Sequence, residues 1–140
     1  MSDEPTITLV HKDARGELYS ISIPGNREIM LLHSKAGTLR GGHSHSVPEQ
    51  VMVVSGKFRY HKLGNRGGGG FISKKEPDPR TEYAHVMAAG DCSPNAAGRI
   101  HYGEFLEDSW ILEVKLAEKG AWTQTDYEPW RAKVRANANG

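Results

Sequence analysis

The chain has 140 residues, of which 37% are hydrophobic, and this is the length of one ordinary domain with a single core. Its 18 Lys and Arg against 17 Asp and Glu leave a formal net charge of +1, and the charges are scattered along the chain. This balance excludes the basic surface expected of a protein that binds nucleic acid or an anionic membrane. We therefore predict a single domain over residues 1–140 that recognises a small molecule in a pocket.

Cysteine use and hydropathy indicate the compartment. The sequence contains one cysteine, Cys92, which excludes an internal disulfide and fits a reducing compartment. The polar start Met1–Pro5 lacks the apolar core of a signal peptide, and no apolar run approaches the length that crosses a membrane. These features predict a cytoplasmic protein without membrane contact.

Short apolar or alternating runs, separated by Gly, Pro and Asn, follow one another along the chain, as in an all-β sandwich or barrel. The predicted strands are Ile7–His11, Glu17–Ile23, Glu28–Ser34, Glu49–Val54, Lys57–Leu63, Phe71–Lys74, Glu82–Ala88 and Ser109–Leu116. Turns are predicted at Pro24–Asn26 and at Ser55-Gly56. Antiparallel strands joined in this way protect their edges by forming a double-sheet jelly roll, with a core over about 7–116.

Two stretches between the strands predict loops. The glycine-rich run Asn65–Gly70 cannot hold regular structure cheaply, because glycine loses the most backbone entropy on ordering. It would form either a lid over the mouth of the barrel or a slack connection. The segment Lys74–Arg80 contains two prolines and predicts an exposed loop.

The C-terminal extension, 117–140, predicts a short helix over Asp126–Arg135. Acidic residues precede it, Pro129 can occupy its first turn, and Trp130 and Val134, four residues apart, would form its buried side. The tail Ala136–Gly140 is expected to fray. The aromatic rings of this extension (Trp122, Tyr127 and Trp130) would either contact a second subunit or close the end of the barrel.

The most informative stretch runs from Gly37 to Gly56 and contains His43, His45 and Glu49. Residues i and i+2 of an extended strand point to the same face, about 6.5 Å apart, so the two imidazoles can be directed at one point. Pro48 favours a break, after which Glu49 opens the next strand and returns toward that point. Nitrogen ligands with one carboxylate suit a divalent first-row metal.

The spacing Gly37-x5-His43-x-His45-x3-Glu49-x6-Gly56 resembles the first motif of the cupin family. Gly90-x5-Ala96-x-Gly98-x2-His101-x3-Phe105 resembles the second motif, with Ala96 in place of the usual Pro and Phe105 in place of the usual Asn. The resemblance implies an RmlC-like jelly roll that often forms homodimers. It also implies one divalent ion (Mn, Fe, Ni, Cu or Zn), with His43, His45, Glu49 and His101 as its ligands.

Metal-binding cupins include isomerases, epimerases and dioxygenases, so the resemblance implies a metalloenzyme that acts on a small oxygen-rich substrate, a sugar or a carboxylate. Tyr60, His61 and Tyr102 are the candidate acid/base residues. Alternation places either Arg59 and His61 or Phe58 and Tyr60 inside the barrel, and it directs Tyr102 away from the face that carries His101.

Three arginines are candidates for substrate binding. Arg40 and Arg99 are close in sequence to the predicted metal ligands, and Arg59 belongs to the strand that follows the first motif. Guanidinium groups match carboxylate and phosphate oxygens, so these residues would hold an acidic substrate. Alternatively, Arg40 and Arg99 are solvated loop charges.

Two other functions compete with the metalloenzyme. Arg40-Gly-Gly-His43-Ser-His45, together with Asp13-Ala-Arg15-Gly-Glu17-Leu18, also resembles the nucleotide-linked sugar ketoisomerases of the cupin superfamily, in which the paired histidines (His43 and His45 here) would transfer protons without metal. His101 argues against this alternative, because a proton shuttle does not need a further ligand-type residue. The third function is a non-catalytic sensor of a metal or sugar. The chain carries no DNA-binding helix pair beside the barrel.

Overall fold

The computed structural model describes residues 4–23, 28–64, 82–117 and 121–139. The strands are β1 (Thr6–Asp13), β2 (Gly16–Ser22), β3 (Ile29–Ser34), β4 (Leu39–His45), β5 (Glu49–Ser55), β6 (Lys57–Lys62), β7 (Tyr83–Ala88), β8 (Cys92–Asn95), β9 (His101–Phe105), β10 (Ser109–Lys115) and β11 (Gln124–Asp126). They are followed by the helix α1 (Glu128–Asn139). In the described ranges, no helix has the length and apolar composition that a membrane crossing requires.

The strands form two antiparallel sheets that enclose one core. The larger sheet has the order β1-β2-β3-β10-β5-β8, and the smaller has the order β11-β4-β9-β6-β7. Their inner faces contribute the buried cluster Leu32, Val51, Val53, Phe58, Tyr60, Met87, Phe105 and Ile111. Apolar side chains from both sheets therefore drive the two layers together, and the predicted all-β jelly roll is confirmed.

Helix α1 packs on β4 of the smaller sheet. Trp130 and Val134 are 7% and 1% exposed, and they form a second buried cluster with Leu63 and Tyr102. The predicted buried side of the helix is thus confirmed. Tyr127 packs against this cluster, and the predicted role of these rings at a subunit contact or at the end of the barrel stays a prediction. A homodimer stays a prediction.

The helix is longer than the sequence pattern predicts. It continues to Asn139, so the fraying predicted from Ala136 onward is wrong for the described part of the tail. The reason is a pair of side-chain hydrogen bonds at its end: Asn137 accepts from the Leu39 amide (2.8 Å) and donates to the Gly37 carbonyl (3.1 Å). These bonds fix the last turns against the start of β4.

Four strands, β4, β8, β9 and β11, were not among the predicted ones. The turn-rich segment around Pro94 is β8, which lies at an edge of the larger sheet. Proline has no backbone N–H to donate, and an edge strand tolerates this because it pairs on one side only. The predicted turn at Pro24–Asn26, the glycine-rich run Asn65–Gly70, the strand Phe71–Lys74 and the loop Lys74–Arg80 lie outside the described residues.

A bulge in β4 decides which of its side chains face inward. The pairing of β4 with β9 shifts register between Gly41 and His43, and Gly41 and Gly42 have φ angles of +105° and +84°. Such angles strain residues with a side chain, so glycine is required there. Because of the bulge, Arg40 and His43 face the interior together although they are three residues apart.

Candidate metal centre

Three imidazoles meet inside the barrel. His43 and His45 come from β4, and His101 is the direct partner of His43 on β9. The ring centroids are 4.6 Å apart for His43 and His45, 5.2 Å for His43 and His101, and 5.3 Å for His45 and His101. One nitrogen of each ring lies within 4.8 Å of the other two. The pairing of β4 with β9 thus joins residues that are far apart in sequence.

Unsatisfied nitrogen atoms show that these rings suit a metal ion. Nδ1 of His43 is buried and has no hydrogen-bond partner among the described residues, and the buried Nε2 of His101 makes no well-aligned hydrogen bond there, although Glu49 Oε1 lies 3.2 Å away. Burial, followed by His101 and His45, lowers the pKa of His43 to about 2, which keeps its imidazole neutral. Neutral imidazole is the form that binds metal, and Zn-like ions accept such nitrogens at about 2.0–2.1 Å.

Glu49 touches two of the three histidines. Its Oε1 lies 3.2 Å from His101 Nε2 and 3.5 Å from His45 Nδ1, and its Oε2 lies 2.8 Å from Lys115 Nζ. Burial alone would raise the pKa of Glu49, but the close contacts with His101 and His45 and the charge of Lys115 hold it well below its usual range. The carboxylate is therefore ionised and faces the imidazoles, which is the position a fourth ligand needs. Coordination by Glu49 stays a prediction.

Two polar side chains behind the site orient its members. The Tyr60 hydroxyl lies 3.1 Å from Nδ1 of His101. The Asn95 amide donates to Glu49 Oε1 at 3.1 Å and also to the Tyr60 hydroxyl oxygen. Burial raises the pKa of Tyr60 well above its usual value, so this phenol remains protonated. Outer contacts of this kind fix the orientation of ligating rings.

The site opens into a cavity of about 360 Å³. The floor is apolar, and the polar groups that line it include Arg40, Glu113, Lys115, Trp122 and Arg131. The Trp122 indole stands edge-on to His45, with ring centroids 5.1 Å apart, and its Nε1 donates to Glu28 at 2.6 Å. A cavity of this size, with a mostly apolar wall and a few polar groups, is typical of a small-molecule binding site.

No family model matches the sequence, and neither does any curated protein. Solved structures do match. Oxalate decarboxylase from Lactobacillus farciminis, in a formate complex, has a TM-score of 0.67 at 16% identity over 94% of this chain and 38% of that chain. Oxalate decarboxylase from Bacillus subtilis has 0.67 at 17% identity, over 94% and 34%. CapF, a capsular polysaccharide assembling protein from Staphylococcus aureus, has 0.58 at 16% identity, over 89% and 33%.

This chain has the cupin fold. It spans between 33% and 38% of the lengths of these three neighbours, and at such identities the similarity concerns the fold. The B. subtilis oxalate decarboxylase contains Mn(II) centres. The cupin fold explains how His101 reaches His43 and His45, since the two motifs lie on strands that the jelly roll pairs.

The cupin barrel brings only some of the predicted acid/base residues to the cavity. Tyr60 faces inward, with its hydroxyl on His101. His61 faces outward, because its neighbour Phe58 and Tyr60 itself occupy the inner face of β6. It stacks on Tyr102 at 4.2 Å and lies 3.2 Å from Glu104. Tyr102 faces outward too, as alternation predicts. The structure therefore gives His61 and Tyr102 no contact with the cavity.

Only one of the three arginines predicted to bind substrate lines the cavity. Arg40 lines the cavity. Arg59 faces outward and pairs with Glu104 at 3.1 Å, and Arg99 donates to the Tyr83 hydroxyl at 2.6 Å; neither of them lines the cavity. The expectation that Arg40 and Arg99 act together at one mouth is thus not met, because Arg99 precedes β9 on the far side of His101 from Arg40.

The cavity residues that sequence reasoning missed include Glu113, Lys115, Trp122 and Arg131. Glu113 and Lys115 belong to a strand that also carries Trp110, Leu112 and Val114 at the alternate positions. A rule that directs apolar residues to the interior would therefore predict that Glu113 and Lys115 face the solvent, which is the reverse of what the structure shows. No local pattern could have corrected this, because Lys115 lies opposite Glu49 only through the pairing of β10 with β5 in the folded structure.

Proposed function

We propose that this chain is a metal-dependent enzyme that acts on a small carboxylate in the cupin cavity. Its divalent ion would be held by His43, His45 and His101, with Glu49 as the fourth ligand. The observation that carries the proposal is the convergence of three buried imidazoles, two of which leave a ring nitrogen unsatisfied within the described chain. Leaving such groups buried costs free energy that a bound ion would recover.

Such an ion, when bound, supplies a Lewis acid that polarises a carbonyl or enediolate oxygen, or a centre for dioxygen if it is iron. The ligand set accepts manganese, iron, nickel, copper or zinc. The chain's own contribution is an apolar cavity that excludes water and a fixed set of polar groups. This description fits an isomerase or epimerase as well as a dioxygenase.

Arg40 supports a carboxylate as the substrate class. Its Nε donates to Ser34 at 3.2 Å, and its Nη2 lies 3.4 Å from the His33 carbonyl, so neutral oxygens hold it. Asp13 lies 4.0 Å away and is already bonded by Arg15 at 2.6 Å. Burial lowers the pKa of Arg40 to about 10, which leaves it positive at neutral pH. A cation that lines the cavity and whose paired carboxylate, Asp13, is no nearer than 4.0 Å would attract an anionic group of the substrate.

The second candidate is the metal-free sugar ketoisomerase, and the similarity to CapF, which assembles capsular polysaccharide, favours it. In that function His43 and His45 would exchange protons with a keto-sugar. The low pKa of His43, about 2, disfavours it, because a general base works best near the operating pH. A sensor that binds metal without turnover is the third candidate.

Metal analysis of the purified full chain tests the proposal. We expect about one divalent ion per chain, lost in His101→Ala and in a His43→Ala, His45→Ala double variant. His61→Ala is the matched control, because this histidine lies on the outer face of the same sheet, and it should keep the ion. A wild-type protein that binds no divalent ion, yet binds a nucleotide sugar tightly, would favour the ketoisomerase. Stoichiometric metal without turnover of any small carboxylate would favour the sensor.

A further inference from the structure

The outer face of the larger sheet is apolar. Two rows of side chains cross all six of its strands on this face, and each residue lies opposite the next one in the strand pairing. Neither row contains a charged side chain, and together the rows form what we call the apolar face. The first row is Leu9, Tyr19, Leu31, Leu112, Met52 and Cys92, and the second is Ile7, Ile21, Ile29, Val114, Gln50 and Pro94. An antiparallel sheet with one face in water normally directs polar residues outward, so these rows need another explanation.

Strand β10 shows how far this face departs from the usual pattern. Glu113 and Lys115 point inward and line the cavity. Trp110, Leu112 and Val114, at the alternate positions, point outward. Packing in the chain's own core does not explain Leu112 and Val114, because they face away from that core.

The outer face of the smaller sheet has the ordinary character. On β6, Phe58 and Tyr60 belong to the core, whereas Lys57, Arg59 and His61 point outward. Helix α1 also packs on this sheet, through β4. In the part of the chain that the structure describes, the apolar outer surface without a helix over it is therefore that of the larger sheet.

The apolar face is accessible and wide enough for a stable contact. Ile7 and Leu9, at its β1 end, are 65% and 51% exposed. Strands about 4.8 Å apart, with outward side chains about 6.6 Å apart on each, give two to three rows a flat area of about 400–600 Å². Protruding side chains increase the accessible area above this value, toward the about 800 Å² that each partner contributes to a standard interface. Apolar patches of this size on one chain mark interaction sites.

We propose that the apolar face binds a second copy of this chain, so that two larger sheets pack face to face in a two-fold symmetric dimer. The partner has to be flat, uncharged and equally wide, and the apolar face itself meets these conditions. A two-fold axis brings the same surface of both copies together, so apolar rows meet apolar rows and no like charges oppose each other. Sheets packed in this way lie about 10 Å apart with interdigitated side chains.

The chemistry of the face disfavours other partners. A nucleic acid or a charged peptide would form no ion pair with these rows, and it would lose hydration on contact with them. The apolar face also points away from the metal centre, which lies on the inner side of the sheets. The inference therefore does not depend on the proposed function.

Analytical ultracentrifugation of the purified full chain tests the proposal. We expect the wild type to form a dimer with a dissociation constant below about 100 μM. An Ile7→Glu, Leu9→Glu double variant should weaken the dimer by at least about 100-fold, because the contact would then bury four unpaired carboxylates. Both side chains are more than half exposed in the single chain, so the variant should fold, which circular dichroism checks. Leu112→Glu, in the middle of the first row, should weaken the dimer as well.

Val86→Glu is the matched control. Val86 is 49% exposed and lies opposite Arg59 on the outer side of the smaller sheet. This variant should keep the dissociation constant within about threefold of the wild type.

Two results would overturn the proposal. The first is a wild type that is still mostly monomeric at about 100 μM, and its binding to phosphatidylcholine vesicles would then assign the face to a membrane. The second is a dimer that the double variant and Leu112→Glu leave unchanged, since the subunits would then meet elsewhere. If Leu112→Glu does not fold, the double variant alone decides.

Discussion

The Nζ of Lys115 lies 2.8 Å from Oε2 of Glu49, a carboxylate that is 1% exposed. The ammonium therefore balances the buried negative charge whether or not an ion is present. It also repels any cation that Oε1 of Glu49 would bind, because both positive charges share one carboxylate.

We expect Lys115→Met to lower the free energy of unfolding of the metal-free protein by about 3 kcal/mol, since it leaves a buried carboxylate uncompensated. The loaded protein should lose less, because the ion replaces the missing charge. The metal-induced rise in Tm should therefore be larger in Lys115→Met than in the wild type. Lys57→Met is the control: its partner Glu107 lies 3.7 Å away and both side chains are about half exposed, so it should change little. A smaller metal-induced shift in Lys115→Met would contradict this account.

Gly42 and Gly37 form a matched pair for the contact between α1 and β4. Both have a φ angle of +84°. A Cβ at Gly42 would lie 2.9 Å from the backbone of Arg131, whereas one at Gly37 would meet nothing within 4 Å. We expect Gly37→Ala to cost about 1 kcal/mol through backbone strain and Gly42→Ala at least twice that, measured by urea unfolding. Equal losses would show that the helix does not pack against the bulge.

Tyr60→Phe tests the outer contact of His101. It removes the hydroxyl 3.1 Å from Nδ1 of His101, and we expect metal affinity to weaken by about 10- to 100-fold in a chelator competition. Tyr102→Phe changes a ring on the outer face and should leave the affinity within about twofold. An unchanged metal affinity in Tyr60→Phe would show that the Tyr60 hydroxyl does not support His101 as a ligand.

Acid should weaken the contact between Asp13 and Arg15. Hydrogen bonds from Arg15 hold the pKa of Asp13 far below its ordinary value of 3.8, despite partial burial. Because the folded pKa is depressed, this stabilisation is present above about pH 4 and is lost as pH falls further. We expect Asp13→Asn to be about 1–2 kcal/mol less stable than the wild type at pH 7, with the difference shrinking below pH 4. A difference that is constant across this range would contradict the ion pair.

How much of the site the sequence could predict depends on how local each contact is. His43, His45 and Glu49 follow from strand alternation and a turn at Pro48, and the resemblance adds His101. The bulge at Gly41-Gly42, which brings Arg40 into the cavity, has no comparable local pattern, because paired glycines also suit an ordinary turn.

The polarity of the residues in β6 and β10 does not indicate which face of each strand points into the barrel. On β6, Phe58 and Tyr60 face inward together with Lys62, so the inner face is not purely apolar. On β10, Trp110 lies outside, stacked on His33 at 4.5 Å, while Glu113 lies inside. The fold class can be predicted even when the inward face of a strand is assigned wrongly, since it depends on the number and pairing of the strands. The residues that line the cavity cannot be predicted in that case, and this is where the sequence analysis failed.

X-ray absorption at the edge of the bound metal tests most directly whether three imidazoles converge on one ion. We expect three imidazole ligands and additional oxygen at about 2.0–2.2 Å in the wild type, and no bound ion in His101→Ala. A wild-type spectrum with oxygen ligands alone, or one that His101→Ala leaves unchanged, would contradict the metal centre proposed for this barrel.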